Sequence, residues 1–339
     1  MSMADGLLSF AVVAAATSLL GTCASGASSA ATGRRSRIPV ILDTDIGDDI
    51  DDTWALGLIL KSPELDLRLV VGDQGKSLYR ARLIAKFLEA AGRTDVAVGV
   101  GLPPEEGGGN QAKWVEGYDL KSYPGQVHAD GVQAIISTIM DSPQPVTLIA
   151  IGPMPNLAAA LAREPRIATR ARFVGMQGSV RLGYGGKPQP DAEYNVKADP
   201  DACRKVFAAP WNITITPLDT CGLVQLKAAK YAAVRDSKDP VARAIIENYR
   251  AWVAAGGNPQ GADTASSVLF DTVAVYLALA EELLQIENLG IRVTDDGMTV
   301  IDPTARAIRV ATKWKDLAAF EDLLVQRLTG PTVKPAGKL

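Results

Sequence analysis

The sequence predicts an α/β protein with a mainly parallel central sheet and helices on both faces of that sheet. Short apolar runs alternate with amphipathic segments along the chain. This alternation is typical of strands and helices that follow one another in a parallel sheet. A parallel sheet of this kind has both of its faces covered by the helices.

The predicted elements follow in chain order. Strands are predicted at residues 37–43, 67–71, 96–100, 146–151, 172–176 and 213–216, and short β-strands within 291–311. Helices are predicted at residues 53–60, 77–91, 134–140, 156–162, 241–255, 267–284 and 317–328. In the second helix, Leu83, Ile84, Phe87 and Leu88 share one face. Residues 101–127 are rich in Gly, Pro and aromatic side chains, which predicts a long functional loop.

The length of 339 residues leaves about 300 after removal of an N-terminal leader. We expect a leader and linker at residues 1–36, a single domain at 37–330 and a flexible tail at 331–339. No change in composition marks a further boundary. The net charge is −3 and no basic run is present, so nothing in the sequence indicates a nucleic acid partner and none is expected.

The leader contains an apolar run at residues 7–20, followed by small residues. This length suits a signal peptide better than a membrane span. We therefore expect an exported protein, either periplasmic, extracellular or lipid-anchored. The stretch Leu20-Gly21-Thr22-Cys23 resembles a lipobox, in which Cys23 would carry the lipid, although Thr22 is unusual there. Asp5 and the absence of Lys or Arg before the run favour the alternative, a low-complexity extension.

The chain has three cysteines and no Cys-x-x-Cys motif, which argues against a disulfide framework and a structural zinc site. Cys203 and Cys221 are either paired or free. His128 is the single histidine, so a site with two or three histidine ligands is excluded.

Six aspartates lie within residues 43–52, between a predicted buried strand and a predicted helix. In open α/β sheets, ligands bind beyond the carboxyl ends of the strands. Carboxylates held together repel one another, and a hard cation such as calcium or magnesium relieves that repulsion. The alternative is a solvated acidic loop with an aspartate helix cap. Apolar segments on both sides of the stretch favour the metal site.

Two other segments resemble parts of known motifs. A strand that ends in Asp-x-Asp resembles the magnesium-dependent phosphatases of the haloacid dehalogenase type, but Gly47 stands where those enzymes carry Thr or Val. Gly75-Lys76-Ser77 resembles the end of a P-loop, but Val70 stands where that motif needs Gly.

The acidic stretch Asp43-Thr44-Asp45-Ile46-Gly47-Asp48-Asp49-Ile50-Asp51-Asp52 resembles the Asp-x-Asp-Pro-Gly-x-Asp-Asp-Ala signature of the nucleoside hydrolases, of the inosine–uridine preferring type. Ile46 replaces the proline, and two additional residues precede Asp51. These departures indicate a divergent branch.

Further segments resemble the same family in the same order. Residues 146–157 resemble a strand and turn that end in Gly-Pro-Leu-Thr-Asn-Leu, residues 192–196 resemble Ala-Glu-Phe-Asn, and residues 199–202 resemble Asp-Pro-Glu-Ala. Met176 follows a strand as in the family's Met-Gly-Gly, although Gln177 breaks that pattern. Asp271 stands where the family has the aspartate of a His-Asp pair, with Phe270 in place of the histidine.

The resemblance implies an α/β nucleoside hydrolase fold and a calcium-dependent hydrolase that splits ribonucleosides into ribose and base. It implies that Asp45, Asp52, Asp271 and the carbonyl of Ile151 hold calcium. It also implies sugar or substrate contacts for Asp51, Asp73, Glu193, Asn195, Met176 and His128, with Asp73 in place of a family asparagine. Asp45 is the expected general base. Family members are usually oligomeric, so a homo-oligomer is expected.

The residue that helps the base to leave is not marked by the resemblance, because Phe270 replaces the family's acid. Aromatic stacking or water would then assist departure, with Trp114, Tyr118, Tyr184 and Trp252 as candidates. Two alternatives follow: a calcium-dependent nucleoside- or sugar-binding protein without turnover, and a magnesium-dependent phosphatase.

Overall fold

A single central sheet organises the computed structural model, which describes residues 37–256 and 261–331. In those residues the strands are Ile38–Thr44 (β1), Leu65–Gly72 (β2), Ala97–Val100 (β3), Val127–His128 (β4), Val146–Ala150 (β5), Ala171–Met176 (β6), Asn212–Thr216 (β7), Leu284–Val293 (β8), Thr299–Ile301 (β9) and Ala307–Trp314 (β10). Their order across the sheet is β4-β3-β2-β1-β5-β6-β7-β10-β8-β9. The leader expected at residues 1–36 and residues 332–339 of the expected tail lie outside the described residues.

The strand directions separate the sheet into two parts. Strands β1 to β7 are parallel to their neighbours, and β10 extends this part by pairing parallel with β7. Strand β8 pairs antiparallel with β10 and with β9. The predicted α/β class with a mainly parallel sheet is therefore confirmed.

The helices cover both faces of the sheet. Within the described ranges they are Asp51–Leu60 (α1), Ser77–Ala90 (α2), Ala112–Val115 (α3), Gly131–Met140 (α4), Pro155–Arg163 (α5), Ile167–Arg170 (α6), Tyr194–Ala198 (α7), Pro200–Ala208 (α8), Leu218–Cys221 (α9), Ala228–Arg235 (α10), Pro240–Ala254 (α11), Gly261–Thr264 (α12), Thr272–Leu279 (α13) and Leu317–Thr329 (α14). None of the described helices is both long and apolar enough to span a membrane.

Alternate residues of β1 contribute to two different apolar clusters. Val40 and Leu42 pack into the cluster that contains residues of α1, α2, α11 and α13. Ile41 packs into the cluster with residues of α4, α5 and α8. Because successive side chains of a strand point to opposite faces, these clusters are the cores on the two sides of the sheet. The continuous apolar run of β1 is the consequence of this double burial.

The predicted helix at residues 267–284 is wrong in its extent, since α13 covers only Thr272–Leu279. Upstream, the backbone N–H groups of Ser266 and Leu269 donate to the carbonyls of Leu226 and Val224. These N–H groups therefore bond to the segment at residues 224–226 and are not available for helix hydrogen bonds. Downstream, Leu284 already belongs to β8 and pairs with Trp314. Apolar residues on both sides of α13 extend its apolar pattern, and this is why the predicted helix was too long.

The chain order around β1 creates a crevice at the carboxyl ends of the strands. Strand β2 lies on one side of β1, and β5 lies on the other. The connections after β1 and after β5 therefore leave the sheet in different directions. Such a topological switch point is the usual ligand-binding position of open α/β sheets.

Candidate active site

A cavity of about 330 Å³ opens at this switch point. Its lining comes from the end of β6 and from the segments that follow β1, β3, β5 and β6, together with α7, α11 and the start of α13. The lining residues are Asp45, Asp48, Asp49, Asp51, Asp52, Asn110, Ile151, Met176, Tyr184, Glu193, Tyr194, Asn195, Trp252, Phe270 and Asp271. Most of the residues predicted to form the site are thus brought together.

Asp51 and Asp52 lie in the first turn of α1, directly after the acidic loop. The N-terminus of a helix carries a partial positive charge that stabilises carboxylates there. Thr44, the last residue of β1, donates its hydroxyl to Asp52 Oδ1 at 2.5 Å. This bond fixes the side chain of Asp52 against the end of the strand.

Carboxylate oxygens of Asp51, Asp52 and Asp271 lie within 4.8 Å of one another, and all three residues are buried. Burial and mutual repulsion raise the pKa of Asp271 and of Asp52 well above 3.8. A hard cation bound among these oxygens would remove the repulsion and keep the groups ionised. The donor set is all oxygen, so it fits a cation of the calcium or magnesium type.

Asp45 lines the same cavity but is not part of this close group of described residues. It is 8% exposed. Burial, followed by repulsion from the Asp73 carboxylate, raises the pKa of Asp45 to about 7. A carboxyl group with a pKa near neutrality is well suited to accept a proton from water.

The backbone of the acidic loop is held by Arg80, a fully buried residue of α2. Its guanidinium donates to the carbonyls of Asp45 and Ile46. It also donates to the Asp48 carboxylate at 3.0 Å. Arg80 is not among the residues predicted from the sequence. The available signal was its position three and four residues before Leu83 and Ile84, which places it on the buried face of its helix.

Asp48 and Asp49 belong to the two-residue expansion of the signature, and neighbouring segments anchor both. Lys76 pairs with the Asp48 carboxylate at 3.0 Å. The indole N–H of Trp252 donates to the Asp48 carbonyl at 2.9 Å. Asn110 and Gln111, from the loop at residues 101–127, donate to the carbonyls of Asp48 and Asp49. The loop predicted to be functional therefore supports the acidic stretch.

Ile151 follows β5 and extends its pairing with β1, because its N–H donates to the Asp43 carbonyl at 2.9 Å. Its own carbonyl accepts from the Asn195 side-chain amide at 3.1 Å. The same amide nitrogen donates to the Met176 carbonyl at 3.0 Å. Asn195 thus connects the ends of β5 and β6 at the cavity wall.

Glu193 precedes α7 and caps it. Its carboxylate accepts the backbone N–H groups of Gly178, Asn195 and Val196. Burial raises the pKa of Glu193 to about 7, although these three donors act in the opposite direction. The sequence fragment Glu193-Tyr194-Asn195 therefore places two polar side chains on the cavity as parts of one capped helix.

Two of the residues predicted as substrate contacts do not line the cavity. Asp73 is fully buried behind it, where its carboxylate accepts from the Met154 N–H at 3.1 Å. His128 lies in the edge strand β4, opposite Gly99 of β3.

The aromatic residues considered as partners of the departing base fall into two groups. Tyr184 and Trp252 line the cavity together with Tyr194 and Phe270, whereas Trp114 and Tyr118 do not. The rings of Tyr184 and Phe270 meet edge to face at 6.1 Å. The cavity therefore has a carboxylate half and an aromatic half. Cys203 and Cys221 are free and buried, so the open alternative of a bond between them is resolved.

The fold and the cavity define an α/β protein with an acidic ligand site at the switch point of its sheet. The oxygen donors of this site are suited to a metal cation. A family model described as inosine-uridine preferring nucleoside hydrolase matches residues 40–322. The chain therefore belongs to that family, as its sequence motifs indicate. It is accordingly a hydrolase that acts on N-glycosyl compounds, and small nucleosides are the substrates of its family.

Individual relatives agree with this assignment. A non-specific ribonucleoside hydrolase RihC from Klebsiella pneumoniae is 30% identical over 290 residues, which cover 80% of this chain and 90% of the relative. A pyrimidine-specific ribonucleoside hydrolase RihA from Salmonella arizonae is 28% identical over 314 residues, which cover 86% and 98%.

Solved structures share the fold. The plant nucleoside hydrolase PpNRh1 has a TM-score of 0.72 at 23% identity, and the match covers 87% of this chain and 99% of the other. A purine-preferring ribonucleoside hydrolase from Gardnerella vaginalis has a TM-score of 0.69 at 22% identity, covering 86% and 98%.

Proposed function

We propose that the protein hydrolyses the N-glycosidic bond of ribonucleosides with the help of a bound calcium ion, releasing ribose and free base. The observation that carries the proposal is the convergence of three buried carboxylates, Asp51, Asp52 and Asp271, in one cavity. A relative named as a non-specific ribonucleoside hydrolase supports a ribonucleoside substrate.

The calcium ligands we propose are Asp45, Asp52, Asp271 and the carbonyl of Ile151. All four line the cavity and offer oxygen atoms. When bound, calcium would supply an anchor for sugar hydroxyls and would make a coordinated water more acidic. Metal dependence is typical of the family, and the all-oxygen ligand set favours calcium or magnesium over zinc.

Asp45 is proposed as the general base that takes a proton from the attacking water. Without a cation, burial and the neighbouring Asp73 carboxylate raise its pKa to about 7. Beside a bound calcium ion the carboxylate would stay ionised and would be placed to accept a proton from a coordinated water. Cleavage passes through an oxocarbenium-like state, whose positive charge the surrounding carboxylates stabilise.

Asp51, Glu193 and Asn195 are proposed to hold the sugar hydroxyl groups. The amide nitrogen of Asn195 is used by the Ile151 and Met176 carbonyls, so its side-chain oxygen is directed to accept from a hydroxyl. Met176 lines the cavity beside this group, with its sulfur 3.3 Å from the Asn195 amide nitrogen. Fixed orientation of the sugar accounts for a large part of the rate enhancement in such reactions.

A reducing-sugar assay with inosine, uridine, adenosine and cytidine tests the proposal. We expect ribose release that EGTA abolishes and added calcium restores. Asp45→Ala should remove turnover, while Asp141→Ala, which removes an exposed carboxylate after α4, should retain it. Tight calcium-dependent ribose or nucleoside binding without release of ribose would instead identify a non-hydrolytic binding protein.

Export is a separate proposal that rests on the apolar run at residues 7–20. We expect the mature protein to begin beyond this run, at Cys23 if it is lipid-anchored. Mass spectrometry of the N-terminal peptide from the protein recovered outside the cytoplasm tests this expectation. A full-length N-terminus in the cytoplasm would contradict it.

A further inference from the structure

Tyr184 lies where the carboxylate half and the aromatic half of the cavity meet. Its ring packs edge to face against Phe270, with the ring centres 6.1 Å apart. Its hydroxyl oxygen accepts the backbone N–H of Tyr194 at 3.0 Å, and Tyr194 stands between Glu193 and Asn195, the proposed sugar contacts. The glycosidic bond of a nucleoside joins sugar and base, so that bond must lie at this boundary.

The loop that carries Tyr184 into the cavity is held on both sides. The carboxylate of Asp219, a buried residue of α9, accepts the backbone N–H groups of Val180 and Arg181 at 2.9 and 2.8 Å. The N–H of Tyr184 itself donates to Asp191 Oδ2 at 2.9 Å. A hydroxyl held in this way is oriented before the substrate binds, which is the condition for strong stabilisation of a transition state.

The hydrogen of the Tyr184 hydroxyl is available to a ligand. The N–H of Tyr194 occupies one acceptor position of the oxygen, and the described part of the chain provides no acceptor for the hydrogen. The Tyr184 side chain lines the cavity and is 42% exposed. A tyrosine hydroxyl ordinarily loses its proton only at about pH 10, and partial burial raises the pKa of Tyr184 further. The hydroxyl is therefore a hydrogen-bond donor at neutral pH.

The other polar groups of the aromatic half are already engaged. The indole N–H of Trp252 donates to the Asp48 carbonyl at 2.9 Å. The hydroxyl of Tyr194 interacts with the side chain of Gln74, and the Tyr194 side chain is 49% exposed. Tyr184 is therefore the best placed donor in this half of the cavity.

We propose that the Tyr184 hydroxyl donates a hydrogen bond to the departing base and is a catalytic residue of this hydrolase. This inference rests on the proposed function and adds to it the group that assists the leaving base. The acceptor would be an atom next to the glycosidic nitrogen, such as the carbonyl oxygen of a pyrimidine. The bond strengthens as negative charge develops on the base, so it stabilises the transition state more than the bound substrate.

The bond changes show where the hydroxyl acts. The C1′–N bond breaks, and its electron pair moves onto the base, where the ring nitrogen and the neighbouring acceptor atom share the negative charge. Water oxygen bonds to C1′ and loses a proton to Asp45. The released base takes up one proton from solvent, and Asp45 returns one proton to solvent. Tyr184 keeps its own proton throughout, so the products are ribose and neutral base.

A comparison of two leaving groups tests the inference. Uridine carries a poor leaving group, whereas p-nitrophenyl riboside releases a nitrophenolate that is stable without assistance. We expect Tyr184→Phe to lower kcat/KM for uridine by about thirty-fold, the effect of a hydrogen bond to a charged group. The same variant should leave kcat/KM for p-nitrophenyl riboside nearly unchanged. Equal losses on the two substrates would place the role of Tyr184 on the sugar or on the fold, and would overturn the inference.

Two other tyrosines provide matched variants. Tyr118→Phe removes a hydroxyl that donates to Glu89 away from the cavity lining, and it should leave both rates unchanged. Tyr194→Phe removes the other tyrosine hydroxyl of the lining, and it should not reproduce the selective loss on uridine. If Tyr194→Phe gave that selective loss and Tyr184→Phe did not, the donor would be Tyr194 and the inference would be wrong.

The wild-type protein separates failure of the inference from failure of the proposed function. Release of ribose from uridine by the wild-type protein, with an equal rate for Tyr184→Phe, overturns only the inference. No ribose from uridine or inosine, together with no nitrophenolate from p-nitrophenyl riboside, overturns the proposed function and the inference with it.

Discussion

Arg80 and Asp48 form an ion pair, with Nη2 and Oδ2 separated by 3.0 Å and the arginine side chain fully buried. The same guanidinium binds the carbonyls of Asp45 and Ile46. A single side chain of α2 therefore fixes both the backbone before the expansion and a carboxylate within it. Because a buried guanidinium presents several donors in a rigid plane, lysine cannot reproduce this arrangement.

Arg80→Lys should therefore destabilise the protein by about 3 kcal/mol, since buried carbonyl groups lose their donors. Calcium affinity should fall as well, because the backbone of Asp45 loses its support. Urea denaturation and calorimetric calcium titration measure the two effects. Arg82→Lys is the matched control on the same helix, where the side chain pairs with the exposed carboxylate of Glu106. Equal stability loss in the two variants would contradict the proposed role of Arg80.

Asp271→Asn should have opposite effects on the two forms of the protein. Without calcium, it removes one of three mutually repelling carboxylates, so the melting temperature should rise. With calcium, it removes a charged ligand, so the affinity should fall by about ten-fold or more. Thermal melts in EGTA and in calcium measure these opposite effects on the two forms. Asp263→Asn, at an exposed position of α12, should show neither effect. A lower melting temperature in EGTA would argue against the repulsion.

The sequence was sufficient for the central parallel strands because these are largely buried on both faces. Apolar runs mark β1, β2 and β5, and the structure has strands at all three. The ends of helices without an amphipathic stripe were harder to predict. In α13 every residue from Thr272 to Ala278 is buried, so no change of pattern marks its ends. Strand β4 has only two residues and gives no periodic signal.

The site was predictable where the type of residue itself indicates the chemistry. The clustered carboxylates of residues 43–52 predicted a cation site there, and the family resemblance added Asp271. The structure brings Asp271 together with Asp51 and Asp52. Arg80 was not, because its role depends on which carbonyl groups the fold brings to it. Asp73 and His128 illustrate the opposite error of placement: position in a motif does not fix whether a side chain reaches the cavity or lies behind it.

The stability of the metal-free protein should fall as the pH rises from about 4 to about 7. Burial raises the pKa of Asp43 and of Asp45 to about 7, from an ordinary value of 3.8. Between these values the folded chain binds more protons than the unfolded chain, so each increase in pH favours unfolding. Thermal melts in EGTA across this range measure the slope. Calcium should flatten it, because the cation stabilises the ionised form. A metal-free melting temperature that increases through the same window would contradict this assignment.

The turn after β5 should not tolerate a side chain at Gly152. A Cβ atom there would lie 2.6 Å from Asp73 Oδ1 and 3.0 Å from the backbone nitrogen of Asp45. Asp73 is fully buried and cannot swing away, so the turn itself must move. Gly152→Ala should cost about 2 kcal/mol of stability and, by displacing the adjacent Ile151 carbonyl, should weaken calcium binding.

Gly108→Ala provides the matched control for that substitution. Gly108 is exposed, and its added Cβ would approach only the Ala112 Cβ, at an ordinary 3.7 Å. Urea denaturation and calcium titration should therefore give unchanged values for this variant. If Gly152→Ala were equally silent in both measurements, the packing of Asp73 against this turn would not constrain the calcium site. A loss of calcium affinity larger than the loss of stability would instead identify the Ile151 carbonyl as the group that moved.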